Sequence, residues 1–385
     1  MKLRFALTIA FFLGLFLLIN GFIGWNASVL WRVATGQPAG WLFWLVFWIV
    51  AFSYVLARLG GRWLPGPFAR LLKVIGSYWF AVVIYGLLLL PVADLAAWLL
   101  ALGGVARSDY VPALGAVFGA ALVLILLIGS RNAWSPVVRR YELAVDKPAD
   151  GRREWTIAVA SDLHLGNTVG NRHIGRLVER INAMQPDLIL LPGDVIDDSI
   201  EPFVRNNMAE RLGRLKARLG VYAVLGNHEY FGGHIDEYVK RMQAIGITVL
   251  RDEHAIVGGA VTVAGRKDRV AEQGGPGGGG GRLSHEALLA GVDRTKPLIL
   301  MDHQPTGLDL ALAAGVDIVL SGHTHRGQMA PGHLITRRLF EIDWGYLRKG
   351  SLHAVVSSGF GSWGPPIRLG SRSEIIRLNV TFAGK

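Results

Sequence analysis

Residues 316–328 read VDIVLSGHTHRGQ: an apolar run short enough for a buried strand, then a glycine, then two histidines separated by one threonine. On a surface strand His323 and His325 would point to the same face. In a loop, as metal ligands, they could reach two different ions. Four other stretches repeat the plan. WTIAVAS (155–161) runs into Asp162-Leu163-His164, and DLILLP (187–192) into Gly193-Asp194, with Asp197 three residues on. VYAVLG (221–226) runs into Asn227-His228-Glu229, and PLILM (297–301) into Asp302-His303. Helical patterns such as RHIGRLVERINAM (172–184) and HIDEYVKRMQAIG (234–246) lie between these runs. Strands alternating with helices predict an α/β domain with central strands buried on both faces. The runs 255–265, 353–359 and 374–380 are strand-like without long helices between them, which predicts a second sheet.

Open α/β sheets carry their sites at the carboxyl ends of strands. Five of the chain's eleven histidines fall at such ends, which random scatter would not produce. The chain has no cysteine, so disulfides, thiolate nucleophiles and Cys-ligated zinc are excluded, and a metal site must use His, Asp, Glu or Asn. Asp162, His164, Asp194, Asn227, His303, His323 and His325 supply oxygen and imidazole donors. That mix suits manganese, iron or zinc better than calcium. Seven ligands exceed one ion's needs and suffice for two if a carboxylate is shared. Two ions about 3.5–4 Å apart are a known solution for phosphoryl transfer, polarising the phosphoryl oxygens and activating a water. The leaving oxygen then needs a proton, and His228, beside a ligand, is the natural general acid.

The ordered motifs DLH, GDVID, GNHE, DHQP and GHTH resemble those of the calcineurin-like metallophosphoesterase superfamily. GHTHRGQ and the closing GFGSWGPPIRLGSRSEI (359–375) are similar to its membrane-associated branch, related to the YkuE and YaeI phosphoesterases. The resemblance covers about residues 153–380 and implies a central β-sandwich flanked by helices. It further implies that Asp162, His164 and His325 hold one ion, that Asn227, His303 and His323 hold the other, and that Asp194 bridges. Asp197 resembles the carboxylate that orients the general-acid imidazole. Two positions depart from the pattern. Arg326 stands where relatives often have glycine, and is a candidate contact for substrate phosphate. GRKD (265–268) replaces a common GVDD, so substrate contacts there do not transfer.

The first 150 residues belong to a different regime. Overall the chain is 51% hydrophobic and 18% charged, with mean hydropathy +0.36, too apolar for a wholly soluble protein and too charged for a wholly membrane one. Apolar runs at about 5–24, 40–57, 74–98 and 111–130 each approach the ~20 residues that cross a bilayer. A cleavable signal peptide is the rival for the first, but it lacks a clear A-x-A site and three more runs follow. The expected organisation is a four-helix transmembrane region over 1–131, a linker over 132–152 and a catalytic domain over 153–385. Residues 1–153 carry 14 Lys+Arg against 5 Asp+Glu, and the remainder 26 against 24. The basic excess therefore belongs to the membrane half, which argues against nucleic acid as a partner. Lys2, Arg4, Arg58, Arg62, Arg70, Lys73, Arg131, Arg139 and Arg140 flank one side of the spans, against Arg32 and Arg107 on the other. That bias places the termini and the catalytic domain in the cytoplasm. Asp94 is the only carboxylate inside the runs and is expected at the headgroup level. The glycine-rich 274–281 lacks the Lys-Ser/Thr ending of a phosphate loop and reads as a flexible connection.

These features predict a membrane-anchored two-metal phosphoesterase with the lipid bilayer and a phosphate-ester substrate as partners. A lipid-linked substrate suits the anchoring, and the stretch LFEIDWGYL (339–347) is a candidate to dip into the interface. The alternatives are the same chemistry on a soluble nucleotide or phosphoprotein, and a non-catalytic membrane sensor or transport protein.

Overall fold

The structure, a computed structural model, describes residues 2–60, 63–149, 153–273 and 281–383. Most of the glycine-rich segment, 274–280, lies outside them. The chain forms two compact units, residues 1–128 and 129–385.

In the first unit the apolar runs become four helices: α1 (Lys2–Thr35), α2 (Trp41–Leu59), α3 (Gly66–Leu102) and α4 (Arg107–Trp134), the last continuing into the second unit. All four are long and apolar enough to cross a membrane. Each exceeds its apolar run, because a helix continues past the hydrocarbon boundary while its backbone bonds remain satisfied internally. A Cβ on Gly76 would lie 2.4 Å from the Tyr54 amide nitrogen, so only glycine lets α3 approach α2 this closely. Trp79 Nε1 donates to Asn20 Oδ1 (2.8 Å), joining α3 to α1, and Asn26 Nδ2 donates to Asp94 Oδ2 (3.4 Å).

The second unit is built on two six-stranded sheets. The first contains β1 (Val137–Pro148), β2 (Glu154–Val159), β3 (Leu188–Pro192), β4 (Val221–Val224), β5 (Ile247–Val249) and β12 (Glu374–Ala383), in the order β1-β12-β2-β3-β4-β5. The second contains β6 (Glu253–Val257), β7 (Val261–Gly265), β8 (Leu298–Met301), β9 (Ile318–Ser321), β10 (Gly345–Lys349) and β11 (Leu352–Val356), in the order β10-β11-β9-β8-β7-β6. Alternation along each strand explains the layers. Ile157, Val159, Leu188, Leu190, Val263, Ile299, Met301, Ile318 and Leu320 meet in one core between the sheets. Their neighbours Ala158, Ile189, Leu191 and Ala223 face a second core with α5 (Asn171–Ala183), α6 (Ile200–Arg205), α7 (Met208–Leu212), α8 (Asn227–Gly232) and α9 (Ile235–Ala244). Leu298, Leu300 and Ala354 pack with α10 (His285–Leu288) and α11 (Leu308–Ala313). Helix α12 (His333–Leu339) precedes β10. The unit is thus a β-sandwich flanked by helices.

The segment 132–152, expected as a linker, instead carries β1. Leu143 and Val145 are buried in the sandwich core while Glu142, Ala144 and Asp146 are exposed, and the strand pairs in parallel with β12 from Val137↔Glu374 onward. The end of α4 is also held within this unit: Arg368 N donates to Gly129 O (2.9 Å) and Ser373 N to Asn132 O (3.0 Å).

Candidate metal centre

The parallel strands β2, β3, β4, β8 and β9 all point their carboxyl ends to one region, and the polar residues singled out in the sequence follow each of them. The chain bends sharply there. Asp162, His164, Asp194, His323 and His325 all adopt positive φ, between 45° and 69°, which non-glycine residues rarely do. Such strain persists where surrounding structure over-determines it, as at functional sites. Two glycines make the approach possible. A Cβ on Gly226 would lie 2.1 Å from Asp194 Oδ1, and one on Gly322 would lie 2.1 Å from Asp162 Oδ2.

The seven side chains form two groups. In one, His325 Nε2 lies 2.9 Å from His164 Nε2 and 3.5 Å from Asp162 Oδ1. In the other, Asn227 Oδ1 lies 2.8 Å from His323 Nδ1 and 3.2 Å from His303 Nε2. Asp194 Oδ2 stands between them, 3.1 Å from His303 Nε2 and 3.9 Å from His164 Nε2. The two histidines of GHTH therefore diverge. Both carry positive φ around a right-handed Thr324, which sends one ring to each group.

Whether these donors suit a cation can be tested on His303. Its Nδ1–H donates to Pro192 O (2.8 Å), so Nε2 faces two acceptor oxygens; burial disfavours the charged ring, but Asp194 outweighs it and lifts His303 well above the usual imidazole range, so a proton on Nε2 fills that point until a cation displaces it. Three lone-pair atoms converge on a point that needs a proton or a cation between them. His164 Nε2 and His325 Nε2, 2.9 Å apart, share one ring proton between them. Burial pushes His164 down to about 3, His323 down to about 4 and His325 well below the usual imidazole range, so all three are neutral and ligand-competent. Burial pushes the Asp162 carboxyl up to about 6, against the pull of His303 and with the help of Asp194. Burial also raises Asp194, but His303 more than offsets it and holds that carboxyl well below the usual range. A buried pair of carboxylates beside three neutral imidazoles, with one proton on His303 to displace, fits two divalent cations.

A family model described as calcineurin-like phosphoesterase matches residues 156–327. An uncharacterized metallophosphoesterase of Aquifex aeolicus is 33% identical over 257 residues, 64% of this chain and 92% of that protein. The chain belongs to the calcineurin-like phosphoesterase family. A Danio rerio transmembrane protein with metallophosphoesterase domain is 34% identical over 257 residues, 64% of this chain and 57% of that protein. YkuE of Bacillus subtilis is 28% identical over 229 residues, 57% of this chain and 77% of that protein. The phosphoesterase spans 52–63% of the length of its animal relatives.

Around the ligands of this phosphoesterase stand groups that the motifs did not single out. Glu229 is buried, and its carboxylate accepts from the backbone N–H of Gly226 (2.7 Å), Ile196 (2.9 Å) and Asp194 (3.1 Å). It ties the loop after β3 to the start of α8, fixing Asp194 against Asn227. Burial pushes its carboxyl up to about 8, while the three N–H donors favour the anion. Arg368 is wholly buried and donates to Ser358 O (2.7 Å), to Gly361 O and to His325 Nδ1 (3.0 Å). A guanidinium only donates, so the proton of the neutral His325 ring sits on Nε2, facing His164; for Nε2 to hold a cation, that proton would have to move to Nδ1 and the Arg368 contact there be given up. Ser161 Oγ and His323 N both donate to the Asp162 carboxylate.

His228 lies beside the first group, its ring centre 4.6 Å from that of His164. Its Nδ1 is 2.7 Å from Asp198 Oδ1 and 3.7 Å from Asp197 Oδ1, so Asp198 rather than the expected Asp197 is the nearer carboxylate. The close contact is out of line for the ring N–H and is an ion pair rather than a directed hydrogen bond. Burial disfavours the charged ring, but Asp198, Asp194 and Asp197 outweigh it and lift His228 to about 9. Arg326 stacks its guanidinium 4.0 Å over the Trp344 ring, which Arg139 also covers at 4.6 Å. A phosphate contact from Arg326 would have to exchange that stacking for the substrate.

Proposed function

We propose that this chain is a membrane-anchored two-metal phosphoesterase, its catalytic unit on the cytoplasmic side, hydrolysing a phosphodiester, pyrophosphate or phosphomonoester bond in a lipid-linked substrate. The observation that carries the chemistry is the convergence of seven donors in two groups about one shared carboxylate. Asp162, His164 and His325 would hold one ion, Asn227, His303 and His323 the other, with Asp194 facing both. Manganese, iron or zinc suits that donor set. When bound, two such ions supply charge stabilisation for in-line displacement and an activated water.

The remaining roles belong to the chain. His228 turns Nδ1 to Asp198, which leaves Nε2 to give its proton to the leaving oxygen. Asp198 and Asp197 keep the ring protonated until transfer. Arg326, released from Trp344, contributes a bidentate contact to the phosphate. Glu229 and Arg368 position ligands and touch no substrate. Four membrane-length helices on the same chain support a substrate presented at the bilayer.

The test is metal content and hydrolysis of bis(p-nitrophenyl) phosphate, with manganese added, by the full chain in detergent. Two ions per chain with turnover are expected. Asp194→Asn should lose both metal and turnover. His228→Asn should keep its metal and lose about 10²-fold or more in kcat. Bound metal without turnover of either diester or monoester would replace the enzyme by a binding domain. Undiminished turnover of the natural substrate after removal of the helices would favour a soluble nucleotide or phosphoprotein.

A further inference from the structure

Helix α12, HLITRRL, has no buried residue. Leu334, Ile335 and Leu339 are 57%, 64% and 71% exposed, and Arg337 and Arg338 are exposed beside them. At 100° per residue these five side chains fan over one broad sector, and Thr336 points the opposite way. Thr336 is the inward latch: its Oγ1 donates to Asp343 Oδ2 (2.6 Å), and Asp343 O accepts from Thr324 Oγ1 (2.5 Å). Thr324 is the residue between the two ligand histidines of GHTH, so a single aspartate couples the helix to the metal turn. Phe340, next after the helix, lies 6.1 Å from the His323 ring. Beside the other group, Trp363 is 59% exposed and 6.3 Å from the His228 ring. A half-buried Phe340 and an exposed Trp363 thus border the two groups.

In the stretch 339–347, expected to dip into an interface, Leu339 and Tyr346 are the exposed apolar side chains. Ile342 is buried, and Trp344 donates to the Glu374 carboxylate (3.1 Å) under its two arginines. The exposed apolar surface lies one helix earlier.

We propose that α12 and Trp363 form an interfacial surface that seats the mouth of the metal centre against an anionic lipid bilayer. The proposal rests on the membrane-anchored reading above and deepens it: the substrate is then taken from the plane of the membrane. Three features favour a bilayer over a protein partner. Two arginines among the leucines and isoleucine complement anionic headgroups, and their stems can snorkel while the apolar side chains enter the acyl boundary. An exposed indole beside the other metal group suits the membrane–water interface. The chain carries four membrane-length helices of its own, so the unit that bears this surface is tethered to a bilayer if they span one.

The chain lacks cysteine, so one introduced thiol can be labelled uniquely. Full-length Ile335→Cys and Leu339→Cys, each carrying an environment-sensitive nitrobenzoxadiazole label, would be reconstituted in nanodiscs of phosphatidylcholine with phosphatidylglycerol and doxyl-labelled lipid. Ile256→Cys, 70% exposed on β6, is the control. Labels on α12 are expected to be blue-shifted and quenched by the doxyl lipid, and the control unquenched. Combining Arg337→Gln with Arg338→Gln should shift the docked-to-undocked ratio about 30-fold, since each basic residue at an anionic surface contributes about five-fold. Quenching on α12 no greater than at residue 256 would overturn the proposal. So would a blue shift without lipid quenching, which would put a second copy of the chain on this face. Neither readout needs turnover, so metal content and bis(p-nitrophenyl) phosphate hydrolysis in the same discs judge the phosphoesterase reading separately.

Discussion

Asp197 and Asp198 both face His228 Nδ1, at 3.7 and 2.7 Å, and that difference separates a family spacing from this chain's own geometry. GDVID ends at Asp197, so spacing alone points there. The backbone explains the shift: Asp197 N donates to Leu165 O (3.0 Å) and its Cβ packs over Gly166, where an added methyl would sit 3.1 Å away. Asp197 is thereby tied to the 165–166 loop, and the next residue swings to the ring. Asp198→Asn is expected to lower kcat about tenfold, a share of the 10²–10⁴-fold that general acid–base catalysis supplies, with metal content unchanged. Asp197→Asn should lower it less. Measured kcat and metal content for both variants decide the matter, and a larger loss in Asp197→Asn would restore the motif's assignment. All seven ligand candidates were legible because each directly follows an apolar strand. Glu229, Arg368 and Asp198 were not, because their roles depend on which backbone atoms and rings come to lie beside them.

At the scale of elements, the alternation that identified the buried strands also explains the one that was missed. In β1 the inward Leu143 and Val145 alternate with Glu142, Ala144 and Asp146, and the run ends at Pro148 beside a polar segment. Two inward residues in a charged stretch read as a connection, and only pairing with the distant β12 makes them a strand. The two helical patterns in the second half were legible because their periodicities are long and unbroken, whereas the strand-like run 255–265 divides at Gly258-Gly259 into the paired strands β6 and β7. The missing strand has a consequence for dissecting the protein. Each fully buried aliphatic side chain contributes about 1.5–3 kcal/mol, so Leu143 and Val145 together approach the 5–15 kcal/mol by which a domain is stable. Removing β1 would also leave β12 as an unpaired edge. A fragment 129–385 is therefore expected to fold and to elute as a discrete species. A fragment 150–385 should melt far lower or aggregate. Thermal melts and size-exclusion chromatography compare them, and equal melting temperatures would make β1 a dispensable linker after all.

At the scale of the whole molecule, the proposed function puts the second unit on the cytoplasmic side of a bilayer, and the charge distribution is what supports that side. Residues 1–153 carry the basic excess, 14 Lys+Arg against 5 Asp+Glu, and those charges cluster. Arg58, Arg62, Arg70 and Lys73 lie around the α2–α3 connection, whereas the α1–α2 and α3–α4 connections have only Arg32 and Arg107 near them. The structure qualifies one part of the count. Arg139 and Arg140 both lie in β1, where Arg139 pairs with Glu374 at 2.7 Å, so they belong to the folded second unit rather than to a juxtamembrane flank. Arg131, in the last turn of α4, remains. The asymmetry still favours the α2–α3 connection as cytoplasmic. With four spans, an even number, the amino terminus and the catalytic unit then share that side. Val105→Cys, in the α3–α4 connection, should react with a membrane-impermeant maleimide in intact cells, and Ile256→Cys, on the catalytic unit, only after permeabilisation. The opposite pattern would put the metal centre outside the cell and any lipid substrate in the other leaflet. Reaction of both thiols in intact cells would mean that α4, the one membrane-length helix between them, does not cross the bilayer.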